Sequence, residues 1–196
     1  MTIPFADAFD AAFIQAHTAN AFTDQPVTEG TLRALHEAMK FGPTSMNCQP
    51  MRLVYVRSAE AKALLKPTLA PSNVDKTLAA PLTAIVAMDT QFYEHLPTQF
   101  PPMPGAREMF AGNAGLCSAT ATRNSTLQGA YLMVAARMLG LACGPMSGFD
   151  NAKVDAAFFP DGRFKSNFIV NLGYADPAGN RPRGPRLSFD EVARIA

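Results

Sequence analysis

Residues 119–139 read ATATRNSTLQGAYLMVAARML. From Leu127 onward the stretch is apolar nearly all round, and Gly140 follows as a C-terminal stop. It predicts one long helix, buried over most of its surface. Ser125, Gly129, Ala130, Ala135 and Ala136 are small enough to let another backbone come close. The neighbouring segments supply what such a helix would lie against. Residues 167–174 (NFIVNLGY) read as a strand, and so do residues 82–88 (LTAIVAM), which Pro81 opens. Residues 52–57 (RLVYVR) alternate poorly but are rich in Leu, Val and Tyr, the pattern of a strand covered on both faces. Three or four separated strands with long helices predict an α+β fold, or α/β with a central helix.

Outward from these segments the signals are local. Residues 140–148 read as a tight glycine-rich turn region. Residues 89–117 carry Pro97, Pro101, Pro102, Pro104, Gly105, Gly112 and Gly115, with Phe92, Tyr93, Phe100 and Phe110 between them. Breakers at that density exclude long regular elements, and the aromatics predict a packed lid rather than a linker. Residues 5–17 predict a first helix through Phe5, Ala8, Ala12 and Ala16. Thr28 caps a second, with Leu32, Leu35 and Met39 on one face and Gly42-Pro43 ending it. Ser58 starts a short helix with Ala61, Leu64 and Leu65. Residues 177–185 form a basic, Pro/Gly-rich arm, and Ser188-x-x-Glu191 predicts a capping box. No repeat or internal boundary appears, so one domain over residues 1–196 is expected.

Composition narrows the function. The 196 residues hold 17 Lys+Arg against 16 Asp+Glu, a net charge of +1. That balance argues against nucleic acid, polyanions or an anionic membrane as the main partner. Charged residues are 17% of the chain, below the usual ~25%, as though a partner covers part of the surface. Cys48, Cys117 and Cys143 lie far apart without C-x-x-C spacing, and His17, His36 and His95 form no H-x-x-x-H pair. Neither a metal site nor a disulfide framework is expected. The N-terminus lacks a leader pattern, and the most apolar run, residues 129–136, falls short of the ~20 residues that span a bilayer. The cytoplasm is the expected compartment. There is no P-loop and no G-x-G-x-x-G after a strand, and Gly144-Pro-Met-Ser147-Gly148 misses the hydrolase elbow by one position.

Four polar clusters remain. Pro43-Thr44-Ser45-Met46-Asn47 offers hydroxyls, an amide and backbone N–H groups to a planar ligand, or is a plain loop. Arg181, Arg183 and Arg186 match phosphate geometry, or are a solvated tail. Asn73 and Lys76 could meet a carbonyl or an anionic atom, or be ordinary loop residues. Pro145, Ser147 and Gly148 allow close backbone approach to a ligand, or Gly148 only supplies a positive φ.

In this order, the clusters resemble the FMN-dependent nitroreductase family over residues 13–191. His17-Thr18 followed by Phe22-Thr-Asp-Gln-Pro-Val27 resembles its N-terminal phosphate motif. Pro43-Thr-Ser-Met-Asn-Cys-Gln-Pro50 is similar to its most specific loop, Asn73-Val-Asp-Lys76 to its Asn-x-x-Lys, and Gly144-Pro-Met-Ser-Gly-Phe-Asp150 to its next turn. Together with Phe92-Tyr-Glu94, Arg123-Asn-Ser125 and Pro185-Arg-Leu-Ser-Phe189, these look most like the Rut pyrimidine-degradation branch, that of malonic-semialdehyde reductase.

The resemblance implies an α/β/α sandwich, a mostly antiparallel sheet flanked by helices, in an intertwined homodimer with FMN at the subunit interface. It implies that His17 and Thr18, with Arg183 and Arg186, hold the FMN phosphate, with Asn20 at a position often basic in relatives. Asn73 and Lys76 would reach the ring, and Pro145, Ser147 and Gly148 would line it near N5. Pro43, Thr44, Ser45 and Asn47 would come from the second subunit. No catalytic side chain is implied, because the flavin carries the chemistry. NADH or NADPH would donate hydride and leave, and a small acceptor would take it, for example malonic semialdehyde becoming 3-hydroxypropionate. Arg107 and Arg123 are candidate partners for that acceptor's carboxylate. Alternatives are a broad nitro or quinone reductase, a non-redox flavin-binding module, or a dimeric protein that lost FMN. Two residues depart from the family pattern: Ala16 stands where a basic residue is common, and Ser147 where other branches carry an acid.

Overall fold

The computed structural model describes residues 5–179 and 181–196. The leader expectation at residues 1–4 lies outside them, as does the side chain of Phe5. In chain order come α1 (Phe5–Phe9), which runs into a π turn at Asp10–Ile14, then α2 (Glu29–Met39), β1 (Met51–Val56), α3 (Ala59–Leu65) and α4 (Pro71–Ala79). Next are β2 (Leu82–Asp89), α5 (Leu96–Gln99), α6 (Ala106–Ala111) and α7 (Ala114–Met138). The chain continues with β3 (Ala142–Met146), α8 (Asn151–Phe158), β4 (Phe164–Gly173) and α9 (Phe189–Val192).

The strands form one sheet in the order β1-β2-β4-β3, every neighbouring pair antiparallel. Period-2 alternation sorts its side chains to two faces. Leu82, Ala84, Val86, Val170 and Leu172 face a layer built from Leu35 and Met39 of α2 and Leu132, Ala135 and Ala136 of α7. Val56, Ile85, Ala87 and Ile169 face Leu65 of α3, Val74 of α4 and Val154 of α8. Both faces are therefore dry, which is why β2 reads as a continuous apolar run. This is the expected α/β/α arrangement.

Local signals act where the residues placed them. The Oγ1 of Thr28 accepts from Thr31 N–H, and Ser58 caps α3 in the same way. The capping box at Ser188 and Glu191 is formed. Gly140, at φ 82°, ends α7: Leu141 N–H reaches Ala136 O at 2.9 Å and Gly140 N–H reaches Arg137 O at 3.0 Å.

Three expectations change, and the helices α4 and α8 were not foreseen. Residues 140–148 are not a turn region, because Ala142–Met146 is a strand paired with β4, hidden in the sequence by Gly144 and Pro145. α8 is too short to show a helical period although Ala152, Val154, Ala156, Ala157 and Phe158 are apolar; Asp150 starts it by accepting from Lys153 N–H. α7 begins five residues before the predicted start, where Asn113 accepts from Leu116 N–H. It also buries one face rather than most of its surface in this chain, leaving Leu116, Leu127, Met138 and Leu139 exposed. The packed lid is found as expected, as a set of short helices held through Phe92 and Phe110, whose rings meet edge-on at 5.0 Å.

Candidate functional site

The N-terminal segment reaches the outer edge of β3. Ala19 N–H donates to Cys143 O at 2.9 Å, next to a parallel bridge between Thr18 and Cys143. A Cβ on Gly144 would stand 2.6 Å from the Ala19 carbonyl oxygen, so only glycine allows this approach. His17 and Thr18 are thus carried along the sheet edge. The C-terminal arm folds back over them. Arg183 donates to the carbonyls of Phe13 at 3.3 Å and Ala16 at 2.9 Å, and to that of Ile14. Arg186 donates to the carbonyls of Gly184 and Pro185.

Between segment and arm lies a basin of about 500 Å³, lined by His17, Thr18, Asn20, Arg137, Arg181, Arg183 and Arg186 among others, with no carboxylate. None of its arginines is in an ion pair among the described residues. Backbone carbonyls leave their charge uncompensated, so the basin suits an anion. The structure brings together His17, Thr18, Asn20, Arg183 and Arg186 from opposite ends of the chain. It adds Arg137, which the sequence reading did not select because a single arginine ending an apolar helix carries no local signal.

A second cluster forms where α4 meets the end of β3. Pro71 opens α4, and Asn73 in its first turn is buried. Its Nδ2 donates to Gly148 O at 2.8 Å, and a Cβ on Gly148 would stand 2.6 Å from that nitrogen. Gly148 lacks a positive φ, so its role is this close approach to Asn73 and not a left-handed turn. Lys76 is half-buried on the same helix with no ion pair among the described residues. Pro145 is half-buried on β3, and Ser147 is exposed beside it.

The third cluster is the loop that begins at Pro43. Met46, Asn47 and Gln49 have φ of 51°, 49° and 39°, in the left-handed region that side chains disfavour. Hydrogen bonds hold it there. Ser45 N–H donates to Asn124 Oδ1 at 2.9 Å, Gln49 N–H to Thr44 Oγ1 at 3.2 Å, and Met51 N–H to Gln128 Oε1 at 2.9 Å. Tyr131 donates to Pro43 O at 3.0 Å, and Asn47 Nδ2 to Gln99 O at 3.1 Å. Asn124 and Gln128 are buried polar residues of α7; the sequence reading met Asn124 only within the Arg123-Asn-Ser125 stretch, without a role, and did not select Gln128. No hydrogen bond among the described residues joins Pro43, Thr44, Ser45 or Asn47 to the other two clusters.

The two acceptor candidates differ. Arg107 is gripped by Glu94 through Nε and Nη2, each at 2.9 Å. Arg123 is exposed on α7 without an ion pair among the described residues. Burial pushes the thiols of Cys48 and Cys143 up to about 11, which removes them as nucleophiles at neutral pH.

Comparison with known proteins adds the lineage. The profile of the Nitroreductase family matches residues 15–174. A Burkholderia lata protein with the provisional name NADH dehydrogenase/NAD(P)H nitroreductase is 57% identical over 195 residues, all of both chains. A Xanthomonas oryzae protein of the same provisional name is 57% identical, over 97% of this chain and 96% of its own. Among solved structures, a Bacillus subtilis nitroreductase superposes with TM-score 0.86 at 22% identity, covering 96% of this chain and 98% of its own. An Exiguobacterium sibiricum nitroreductase solved in complex with FMN gives TM-score 0.84 at 20% identity, over 100% and 99% of the two chains.

Proposed function

The chain belongs to the nitroreductase family, and from that membership we propose that it is an FMN-dependent NAD(P)H oxidoreductase acting as a homodimer. The observation that carries the cofactor is the basin beneath the arm: His17 and four arginines around one space, with no acid among the residues that line it. A phosphate monoester is the anion such forks match. When bound, FMN supplies the hydride-carrying chemistry. His17, Thr18, Asn20, Arg183 and Arg186 hold its phosphate. Lys76 supplies a cation toward the ring, and Asn73 holds Gly148, Ser147 and Pro145 in place beside it. Pro43, Thr44, Ser45 and Asn47 complete the partner subunit's site, which agrees with their separation from the other clusters in this chain.

Two features support the homodimer. A groove of about 640 Å³ between the N-terminal helix, α2 and α7 is lined by apolar side chains including Phe13, Ala38, Met39, Val134, Met138 and Leu139. After the arm, Leu187, Phe189 and Val192 of the α9 region and Ile195 are exposed, the last at 92%. Apolar surface of this extent is what an obligate interface covers. The whole chain acts as one domain, and the cytoplasm is its proposed place of work.

The finer reading of the acceptor is malonic semialdehyde, reduced to 3-hydroxypropionate. It rests on the branch resemblance and on Arg123 as an open cation for the acceptor's carboxylate. The purified protein should be yellow, and anaerobic NADH or NADPH should bleach its visible absorption at a catalytic rate. A flavin-bound protein that neither nucleotide bleaches would overturn the redox reading. A higher kcat/KM for a nitroaromatic than for malonic semialdehyde would overturn the acceptor.

A further inference from the structure

We infer that Arg137 is the fixed cation of the anion basin, the residue that distinguishes a phosphorylated flavin from an unphosphorylated one. The inference rests on the FMN reading above and concerns one side chain.

Arg137 sits in the last turn of α7, the longest helix, and the turn at Gly140 fixes its backbone. Its Nη1 donates to Ala12 O at 3.1 Å. That bond engages one of five N–H donors. Its Nε is a fully buried side-chain nitrogen without a hydrogen-bond partner, the sole such atom among the described residues. A buried donor left unpaired is costly, and the structure keeps it. The same side chain lines both the basin and the smaller hollow next to it, sharing each with Ala16 and His17. An oxyanion in the basin is the acceptor that would engage Nη2 and, after a small rotation of the fork, Nε.

The contrast with the arm sets its role. Arg181, Arg183 and Arg186 are exposed on an irregular segment, and two of them are already bonded to carbonyls. Arg137 is half-buried on a rigid helix, so ordering it for a ligand costs little entropy. It enters from α7 beside Ala16, which brings no charge of its own to the basin.

The test compares FMN with riboflavin, which lacks the phosphate, on the full-length protein freed of flavin. Kd is read from flavin fluorescence for the unmodified protein, Arg137→Ala and Arg137→Lys. The unmodified protein should prefer FMN strongly. Arg137→Ala should weaken FMN about ten- to a hundredfold, with riboflavin changed by no more than about twofold. Arg137→Lys should recover part of the loss, because the charge remains and the fork does not. If Arg137→Ala fails to fold, the lysine variant carries the same comparison, expected as a several-fold fall in preference at unchanged melting temperature. Equal losses for both flavins, or none, would make Arg137 only a tie to Ala12 and overturn the inference. Equal affinity of the unmodified protein for FMN and riboflavin would overturn the phosphate basin itself. A preference kept intact in Arg137→Ala would leave the basin standing and remove Arg137 from it.

Discussion

Asn73 Nδ2 donates to Gly148 O at 2.8 Å, across 75 residues of sequence, and a Cβ on Gly148 would fall 2.6 Å from that nitrogen. The pair locks the first turn of α4 to the end of β3. Lys76 follows one turn further along α4, where its carbonyl accepts from Asn171 Nδ2 at 3.3 Å.

Gly148→Ala should therefore break the bond and force the two segments apart. The expected destabilisation is about 1–3 kcal/mol by urea unfolding, the range for overpacking. Flavin affinity should fall as well. In an Asn73→Ala background the Gly148→Ala penalty should shrink, because the atom it strikes is gone. An undiminished penalty would show that Asn73 is not what Gly148 accommodates.

Asp89 ends β2 with its side chain fully buried. Arg52 Nη2 reaches it at 2.8 Å, Arg163 Nε at 2.9 Å and Nη2 at 2.8 Å, and Gln91 N–H at 2.9 Å. Burial alone would raise this carboxyl, but the Arg163 hydrogen bonds, the Gln91 N–H and the two positive charges outweigh it and hold it below its ordinary value. Its stabilising contribution is then present above the unfolded value near 3.9 and lost as pH falls through the lower folded value. Asp89→Asn should flatten stability against pH below about pH 4. Asp89→Ala strands two arginines and should cost about 3–5 kcal/mol at neutral pH. Thermal melts from pH 3 to pH 8 check both; an unchanged acid limb in Asp89→Asn would assign it elsewhere.

Three residues of the loop after Pro43 take left-handed φ, and Asn124 holds the loop from α7 by accepting from Ser45 N–H. Asn124→Ala should release it at a cost of about 1–3 kcal/mol, since the Ser45 N–H loses its partner. Hydrogen exchange should quicken at residues 45–49 while β2 and β4 stay protected. Uniform quickening would mean a global rather than a local role.

Ala38 is exposed on α2 and lines the apolar groove beside α7. Ala38→Glu adds a charge there with little effect on the helix. Sedimentation should show a shift from dimer toward monomer, with flavin lost in step because Thr44, Ser45 and Asn47 are withdrawn. A dimer of unchanged affinity would place the interface on another face.

Arg107 and Arg123 separate by kinetics. With malonic semialdehyde, Arg123→Gln should raise KM about tenfold or more, the loss of a charged hydrogen bond. Arg107→Gln should leave KM nearly unchanged, because Glu94 already holds that guanidinium. The reverse result would move the acceptor site to the residues of the lid.

By itself the sequence determined the elements with strong periodicity, caps or breakers. The strand through Val86, the helix through Leu132, the Thr28 and Ser58 caps and the Gly140 stop depend on residues near one another in the chain, so their physics is local. The motif order also sufficed to place Asn73, Lys76 and the arm arginines in one family pattern. Only the tertiary structure decided that Ala142–Met146 is a strand, because Gly144 and Pro145 have poor strand propensity and pairing with β4 overrides it. It alone showed that Gly148 is small for Asn73, that Arg107 is bound to Glu94, and that Arg137 shares a basin with His17 and Arg183. Those relationships join segments far apart in the chain. A single side chain carries no sign of a partner that distant until packing brings the two within a few ångströms.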